Sequence, residues 1–355
     1  MANRPSPLLL ILSLVAFGCG EGGTDEATSE MTDANVDIPA DQQIRTGDPY
    51  ARGYTDEDFP RIQELAAGVY SYEQLRSAGE EKFTTVSMFV VTDEGVVVAD
   101  GQGNLEETQR MIDHIADITD QPITDVVVAS DHGDHTAGNA AFPAGARFWA
   151  HPTSAAALER MAENNADLPM VTHQVSDLEV LQMGGREIHV QFLGRAHTGG
   201  DLVVYLPAEK IMFMSEAYLH RIFPAMRSAF PSEWIDMIEA AQAMDVDMYV
   251  PGHGFVDHPS VLDEELEVFQ GAIRTVIAEA HRWHEEGFDL QDAIETHQVL
   301  AELSHLCVDV LRHAYELVEA RARAEHGDPY TIKGVSARTP ADMVVVALGK
   351  VGGLE

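Results

Sequence analysis

The residues with the most evident chemistry lie in the segment ASDHGDHTAGN, residues 129–139, which places His132, Asp134 and His135 within four positions. Imidazole nitrogens and carboxylate oxygens are common zinc ligands. The segment follows ITDVVVAS, an apolar β-branched run that predicts a buried strand. A loop that leaves a strand end starts from a fixed point, so its side chains can converge on one ion. Taken alone, the segment predicts either a metal-binding turn or a solvated polar loop.

Three further segments place a His or a Glu next to a predicted strand. His197 lies in GRAHTGGD just before one strand, Glu216 ends the apolar run of FMSEAYL, and His253 lies in VPGHG just after another strand. Each residue alone is typical of a polar turn or a strand cap. Their fixed order at successive strand ends favours one shared metal site.

These segments, together with VVVADG before the first predicted helix, resemble the metallo-β-lactamase superfamily over about residues 65–254. The mark of that family is H-x-H-x-D-H, followed by a His, an Asp and a final His at successive strand ends. The resemblance implies an α/β fold, an αββα sandwich with the metals in a cleft at the sheet edges. It also implies Zn²⁺ as the cofactor, as one or two ions, with another divalent metal as the alternative.

The resemblance also assigns ligands. It implies that one metal is held by His132 and His197 and the other by Asp134, His135 and His253. Glu216 stands where the family usually has an aspartate that bridges both ions, and we expect it to be a ligand.

Ser130 stands where the first motif histidine belongs. A neutral hydroxyl is a poor zinc ligand compared with Cys, His, Asp or Glu. We therefore expect two unequal metal positions, and the one served by Asp134, His135 and His253 should fill at the lower zinc concentration.

The expected function is a metallohydrolase that uses a zinc-activated hydroxide on an ester, thioester, lactone or lactam bond of a small molecule. In the catalytic roles we expect Asp134 to orient the water, and Tyr218 and His220, with Arg221, to reach a substrate oxygen. One alternative is a degenerate metal- or ligand-binding module with little or no turnover. An oxidoreductase like the diiron flavoproteins is disfavoured, because those carry a carboxylate at the position of His132.

The elements that must position these residues are visible in the hydrophobic pattern. TVSMFVVT and GVVVAD predict a hairpin, and NLEETQRMIDHIADIT predicts a helix capped by Asn104. PSEWIDMIEAAQAM predicts a second helix, capped by Ser232. Pairs of strands that alternate with helices predict two sheets, each covered by helices, over residues 60–260. Residues 261–355 are predicted to be mainly helical, as a layer over the sandwich or as a homodimer surface.

The N-terminus is typical of export. Residues 1–18 contain a short apolar run, LLLILSLVAF, which predicts a secretory signal peptide and is too short to span a bilayer. Cys19 follows Gly18 as in a bacterial lipobox, so we expect a lipid on Cys19 and attachment to the cell envelope, at the outer membrane or in the periplasm, with plain secretion as the alternative. Residues 19–48 are acidic and predict a disordered tether.

The charge of the whole chain limits its partners. Its 355 residues include 22 Lys and Arg against 59 Asp and Glu, a formal net charge of −37. Such a surface repels phosphate backbones, which excludes nucleic acid as an expected partner. It leaves a small-molecule substrate, and membrane contact only through the lipid. The other cysteine, Cys307, is expected to be a core residue.

Overall fold

The computed structural model describes residues 47–281, except for 79–80, 164–167, 223–225, 227, 257–264, 275–276 and 279–280. The predicted signal peptide, Cys19, Cys307 and nearly all of the predicted C-terminal helical region lie outside the described residues. Of the predicted tether, Gly47 and Asp48 are described, and Gly47 is buried. An added Cβ on Gly47 would lie 2.8 Å from the carbonyl oxygen of Arg221. The folded domain therefore begins before residue 60, the start that the sequence predicted.

Within the described residues, twelve strands form one sheet: β1 Arg61–Ala66, β2 Val69–Ala78, β3 Glu81–Thr92, β4 Gly95–Ala99, β5 Ile123–Val128, β6 Arg147–Ala150, β7 His173–Gln174, β8 Leu178–Met183, β9 Arg186–Gln191, β10 Val203–Leu206, β11 Ile211–Leu219 and β12 Met248–His253. Their order is β7-β6-β5-β4-β3-β12-β11-β10-β9-β8; β2 also pairs with β3, and β1 pairs with β2. The sequence predicted two sheets. The two halves are joined into one curled sheet by a single pairing of β3 with β12, between Thr85 and His253.

The helices cover both faces of this curled sheet. They are α1 Leu105–Ile118, α2 Gly133–Thr136, α3 Pro152–Ala162 and α4 Pro231–Gln242, and residues 265–274 are also helical. One apolar cluster packs α1 and α3 on the first half, a second lies between the halves, and a third packs α4 and residues 265–274 on the second half. The three clusters lie between four layers, helices, the two halves of the sheet and helices again, which confirms the αββα fold. In the part of the chain that the structure describes, no helix is long and apolar enough to cross a membrane.

Helix starts show where sequence signals succeed and fail. The side chain of Asn104 accepts a hydrogen bond of 2.9 Å from the N–H of Glu107, as predicted for the cap of α1. The predicted cap Ser232 is wrong: α4 begins at Pro231 with Phe230 in the cap position and no side-chain cap. Proline has no N–H and a helical φ, so it fits the first helical turn, and Ser232 falls inside the helix.

Candidate metal centre

The sheet brings the predicted ligands together at one edge. β5 leads into the loop and the short helix α2 that carry Ser130, His132, Asp134 and His135, and β12 ends at His253. His197 lies between β9 and β10. The parallel strands β4, β5 and β6 on one half, and β11 and β12 on the other, end at this edge.

Glu216 reaches the site differently from what the sequence indicated. It lies inside β11, and the pairing of β11 with β12 is irregular on both sides of Ser215. Ser215 has a φ of 48°, in the left-handed region that non-glycine residues seldom adopt. A bulge of this kind re-aims side chains, and here it turns Glu216 toward the histidines.

The six predicted ligands form two groups that share one carboxylate. The first group is Asp134, His135, Glu216 and His253, and the second is His132, His197 and Glu216; in each, the candidate ligand atoms lie within 4.8 Å of one another. The structure thus brings together every residue predicted to hold metal.

The first group offers four converging donors. Nε2 of His253 lies 3.3 Å from Oδ2 of Asp134, 3.3 Å from Oε1 of Glu216 and 3.4 Å from Nε2 of His135. Two imidazole nitrogens that face each other beside two carboxylates suit a divalent cation, because both kinds of atom are common ligands and the cation would offset the negative charge of the carboxylates.

The second group is smaller, and Ser130 occupies part of it. Nδ1 of His132 lies 2.6 Å from Oε2 of Glu216, and Nε2 of His197 lies 3.4 Å from Oε1. The Ser130 hydroxyl donates a hydrogen bond of 2.6 Å to the same Oε2. Ser130 therefore holds the shared carboxylate at the place where the family motif has a third imidazole for this group.

Outer contacts orient the imidazoles of the first group. Nδ1 of His253 lies 2.9 Å from the carbonyl oxygen of Thr84, and Nδ1 of His135 lies 3.1 Å from Oδ2 of Asp100. Donation from Nδ1 of His253 to this carbonyl leaves its Nε2 as the candidate ligand atom, and Nε2 of His135 faces it at 3.4 Å. Asp100 accepts hydrogen bonds from the N–H groups of Ala129 at 2.7 Å and Ser130 at 3.3 Å.

The candidate ligands are closely spaced ionisable groups that shift one another's pKa values. Burial raises the pKa of Glu216, but His197 and His132 outweigh it and hold the pKa well below its usual value. Burial lowers the pKa of His253, whereas its hydrogen bonds with Asp134 and Glu216 raise it to about 10. Burial lowers the pKa of His197 to about 4. A metal that binds His253 must displace a proton, so metal affinity falls as pH falls.

Access to the site is one-sided. The side chains of His132 and Asp134 are 31% and 28% exposed, whereas those of His197, Glu216 and His253 are no more than 5% exposed. An external molecule therefore meets His132 and Asp134 first, at the surface where the two groups adjoin.

The other predicted catalytic residues, Tyr218 and His220, belong to neither ligand group. Both are fully buried. The ring of Tyr218 packs edge-on against Phe269 with centroids 5.7 Å apart, and Nε2 of His220 lies 3.5 Å from Oε2 of Glu265. These contacts direct both side chains toward helix 265–274, and their role in contacting substrate stays a prediction.

Three supporting residues were missed by the sequence reasoning. Thr84 orients His253 through its carbonyl, and Asp201 accepts hydrogen bonds of 2.6 Å from both the N–H and the hydroxyl of Thr198, next to His197. Glu265 binds the residues that follow β11. Polar residues within apolar segments, such as the Thr pair of KFTTVSMF, were the available signal.

Comparison with known proteins agrees with this geometry. Residues 82–253 match the family model of the metallo-beta-lactamase superfamily. A metallo-beta-lactamase type 2 of Bacillus sp. (strain 170) is 23% identical over 218 residues, which is 59% of this chain and 82% of the relative. A 2,4-dinitroanisole O-demethylase subunit alpha of Nocardioides sp. (strain JS1661) is 24% identical over 45% of this chain and 50% of the relative.

Solved structures show the same fold. The metallo-beta-lactamase from Pontibacter korlensis has a TM-score of 0.53 at 21% identity, and covers 60% of this chain and 98% of its own. The metallo-beta-lactamase IND-7 has a TM-score of 0.54 at 20% identity, with 60% and 97% covered. The chain contains a domain of the metallo-beta-lactamase superfamily. A second family model, glutamate-ammonia ligase adenylyltransferase, matches residues 282–355, which lie outside the described residues.

Proposed function

We propose that this protein is a zinc-dependent hydrolase of small molecules. The observation that supports it is the group of Asp134, His135, Glu216 and His253, whose ligand atoms converge within 4.8 Å. The donors are imidazole nitrogens and carboxylate oxygens, a set that suits zinc. Asp134 is partly exposed and the other three residues of the group are buried, so the group is open on the side of Asp134.

The residues fit a metal at two positions of unequal quality. Asp134, His135, Glu216 and His253 would hold one ion, and His132 and His197, with a share of Glu216, would hold a second, weaker one. A bound divalent ion supplies a water of lowered pKa and polarises a substrate oxygen.

The chain's own residues orient the reactants. Burial raises the pKa of Asp134, but the charge of His135 and the hydrogen bond with His253 outweigh burial and lower it. Asp134 therefore stays a carboxylate, which accepts a hydrogen bond from the attacking water at the open side and fixes its direction. His132 is more exposed than the other histidines of the site, so it is the imidazole that contacts substrate.

The bond we propose is an ester, thioester, lactone or lactam. The names of the relatives, metallo-beta-lactamase on one side and an O-demethylase on the other, show that the fold serves more than one substrate. An assay must therefore span these bond types, with a β-lactam and an aryl methyl ether included.

A second candidate, a metal- or ligand-binding module without turnover, is favoured by one observation. Ser130 replaces an imidazole and hydrogen-bonds to the shared Glu216 at 2.6 Å, which leaves His132 and His197 as the only imidazoles of the second group. A protein that binds zinc firmly but hydrolyses nothing would fit this alternative.

The experiment combines metal analysis of the purified full-length chain with the substrate panel, before and after chelation. We expect bound zinc, turnover of at least one substrate, and its loss on chelation. Asp134→Asn should abolish turnover, whereas Asp117→Asn, an exposed carboxylate on α1, should not change it. Zinc binding without turnover would support the binding module, and absence of zinc binding would refute the zinc-dependent hydrolase.

We further propose that the mature chain carries a lipid on Cys19 and is held at the cell envelope. The support is the signal-peptide pattern and the small residue before the cysteine. An acidic tether would keep the catalytic domain away from the bilayer, and a homodimer through the C-terminal region is part of the same proposal.

A further inference from the structure

Directly after β11, His220 and Arg221 form a buried corner, called here the β11 corner. Arg221 is 1% exposed, although it carries a full charge, and its φ is 57°. Non-glycine residues seldom adopt this conformation, and a buried guanidinium is costly without a partner. Both features require support from the surrounding structure.

Glu265 supplies much of that support. Its carboxylate accepts hydrogen bonds from Nε of Arg221 and, at 2.6 Å, from Nη2, a two-point contact that fixes the planar guanidinium. Nε2 of His220 lies 3.5 Å from the same carboxylate. Glu265 is 2% exposed and begins the helical residues 265–274, the start of the region predicted to be a helical extension.

The β11 corner is joined directly to the metal ligands. The N–H of His220 donates a hydrogen bond of 2.9 Å to the carbonyl oxygen of His253, and Leu219 is the strand partner of His253. Glu216 lies inside β11, four residues before His220. The β11 corner therefore sits on the backbone that carries two of the four ligands in the first group.

The β11 corner has little room to move. An added Cβ on Gly254, which follows His253 and has a φ of 93°, would lie 2.1 Å from the carbonyl oxygen of His220. An added Cβ on Gly47 would likewise lie 2.8 Å from the carbonyl oxygen of Arg221. Backbone from the start of the domain, from the exit of β12 and from the β11 corner thus meets here, so a shift at Arg221 must be passed to its neighbours.

We infer that Glu265 is a positioning residue for the metal centre: by holding Arg221 and His220, it sets the backbone positions of Glu216 and His253. The C-terminal region then helps to build the centre and does not only cover the sheet. This inference rests on the zinc binding in the proposed function.

The test is the zinc dissociation constant of the full-length chain, measured by competition with a chromophoric chelator. Glu265→Gln keeps the size of the side chain but removes the negative charge that Glu265 presents to Arg221. Since changes to residues that support ligands commonly weaken metal affinity about 10–100-fold, we expect the strongest zinc site to weaken about 10-fold. Glu265→Asp retains the charge on a shorter arm and should fall between this variant and the wild type.

The matched control is Asp125→Asn. Asp125 is also a buried carboxylate, and it accepts hydrogen bonds of 2.8 Å from Arg147 and 2.7 Å from Trp149, neither of which is a candidate ligand. This variant should lower the thermal midpoint and leave the zinc dissociation constant unchanged. A Glu265→Gln protein that is destabilised like the control yet binds zinc as the wild type does would overturn the inference.

If Glu265→Gln does not fold, Glu265→Asp and Arg221→Lys decide the question, because both keep an ion pair. Wild-type zinc affinity in both would overturn the inference, and weakened affinity in both would support it. If the wild type itself does not bind zinc, the proposed function and this inference are both refuted. Variants that bind zinc as tightly as the wild type would refute this inference alone.

Discussion

Replacing Ser130 with histidine tests whether Ser130 occupies a ligand position of the second, weaker metal group. The Ser130 hydroxyl makes a 2.6 Å hydrogen bond to the Glu216 carboxylate and accepts one of 3.3 Å from the N–H of His132. A hydrogen bond to a charged group contributes about 1.5–3 kcal/mol, and overpacking a buried position costs about 1–3 kcal/mol. Ser130 is fully buried. We therefore expect the free energy of unfolding of the Ser130→His protein without zinc to fall by about 2.5–6 kcal/mol, the sum of the two effects.

Zinc should reverse the effect, because the new imidazole joins His132 and His197. Loss of an outer supporting partner alone costs about 10–100-fold in metal affinity, so a gained ligand should tighten the weaker position by at least about 10-fold. The assay is zinc titration by calorimetry, with urea unfolding at several zinc concentrations. Ser130→Ala is the control, since it removes the hydrogen bond without adding a ligand. Two equal sites in the wild type, or an unchanged weaker site in Ser130→His, would show that Ser130 does not occupy a ligand position.

Three other predictions address the first ligand group, the acid limb of stability and the N-terminus. His253→Ala should empty the stronger zinc position and reduce turnover sharply, and metal analysis showing undiminished zinc would count against the assignment. Burial raises the pKa of Glu265, but His220 and Arg221 outweigh it and lower the pKa from 4.5 to about 2. The stability that this lowered pKa provides is complete above pH 4.5, and on the order of 3 kcal/mol of it is lost as the pH falls toward 2. Urea unfolding across that pH range should show a smaller loss of stability for Glu265→Gln than for the wild type. Equal losses in the two proteins would refute this prediction. Mass spectrometry of the mature chain should find a lipid on an N-terminal Cys19, and an unmodified chain that starts elsewhere would contradict it.

The clustering of the predicted ligands could be foreseen because strand ends meet at one sheet edge. His132, Asp134, His135, His197 and His253 each adjoin a run of β-branched or apolar residues, and period and turn signals are enough to place such runs. The six predicted metal ligands lie together in the structure. The division into layers also followed from strands alternating with helices.

The departures have physical reasons that a single sequence does not reveal. Glu216 turns toward the histidines from inside β11 because Ser215 takes a left-handed φ, and an apolar run gives no sign of such a bulge. The direction of His220 depends on Glu265, which lies 45 positions later along the chain. Burial of Tyr218 likewise depends on the packing of Phe269. Long-range partners of this kind are fixed by tertiary packing and not by local pattern.

The most direct test of the central claim is restoration of activity by zinc. The full-length chain is stripped with a chelator and zinc is added back in steps, while bound metal and hydrolysis of the panel substrates are followed together. We predict that turnover of one substrate class returns with zinc bound by the group of Asp134, His135, Glu216 and His253, and that His253→Ala does not recover it. Hydrolysis that persists in the stripped protein, or zinc that binds fully without restoring any turnover, would contradict the claim of a zinc-dependent hydrolase.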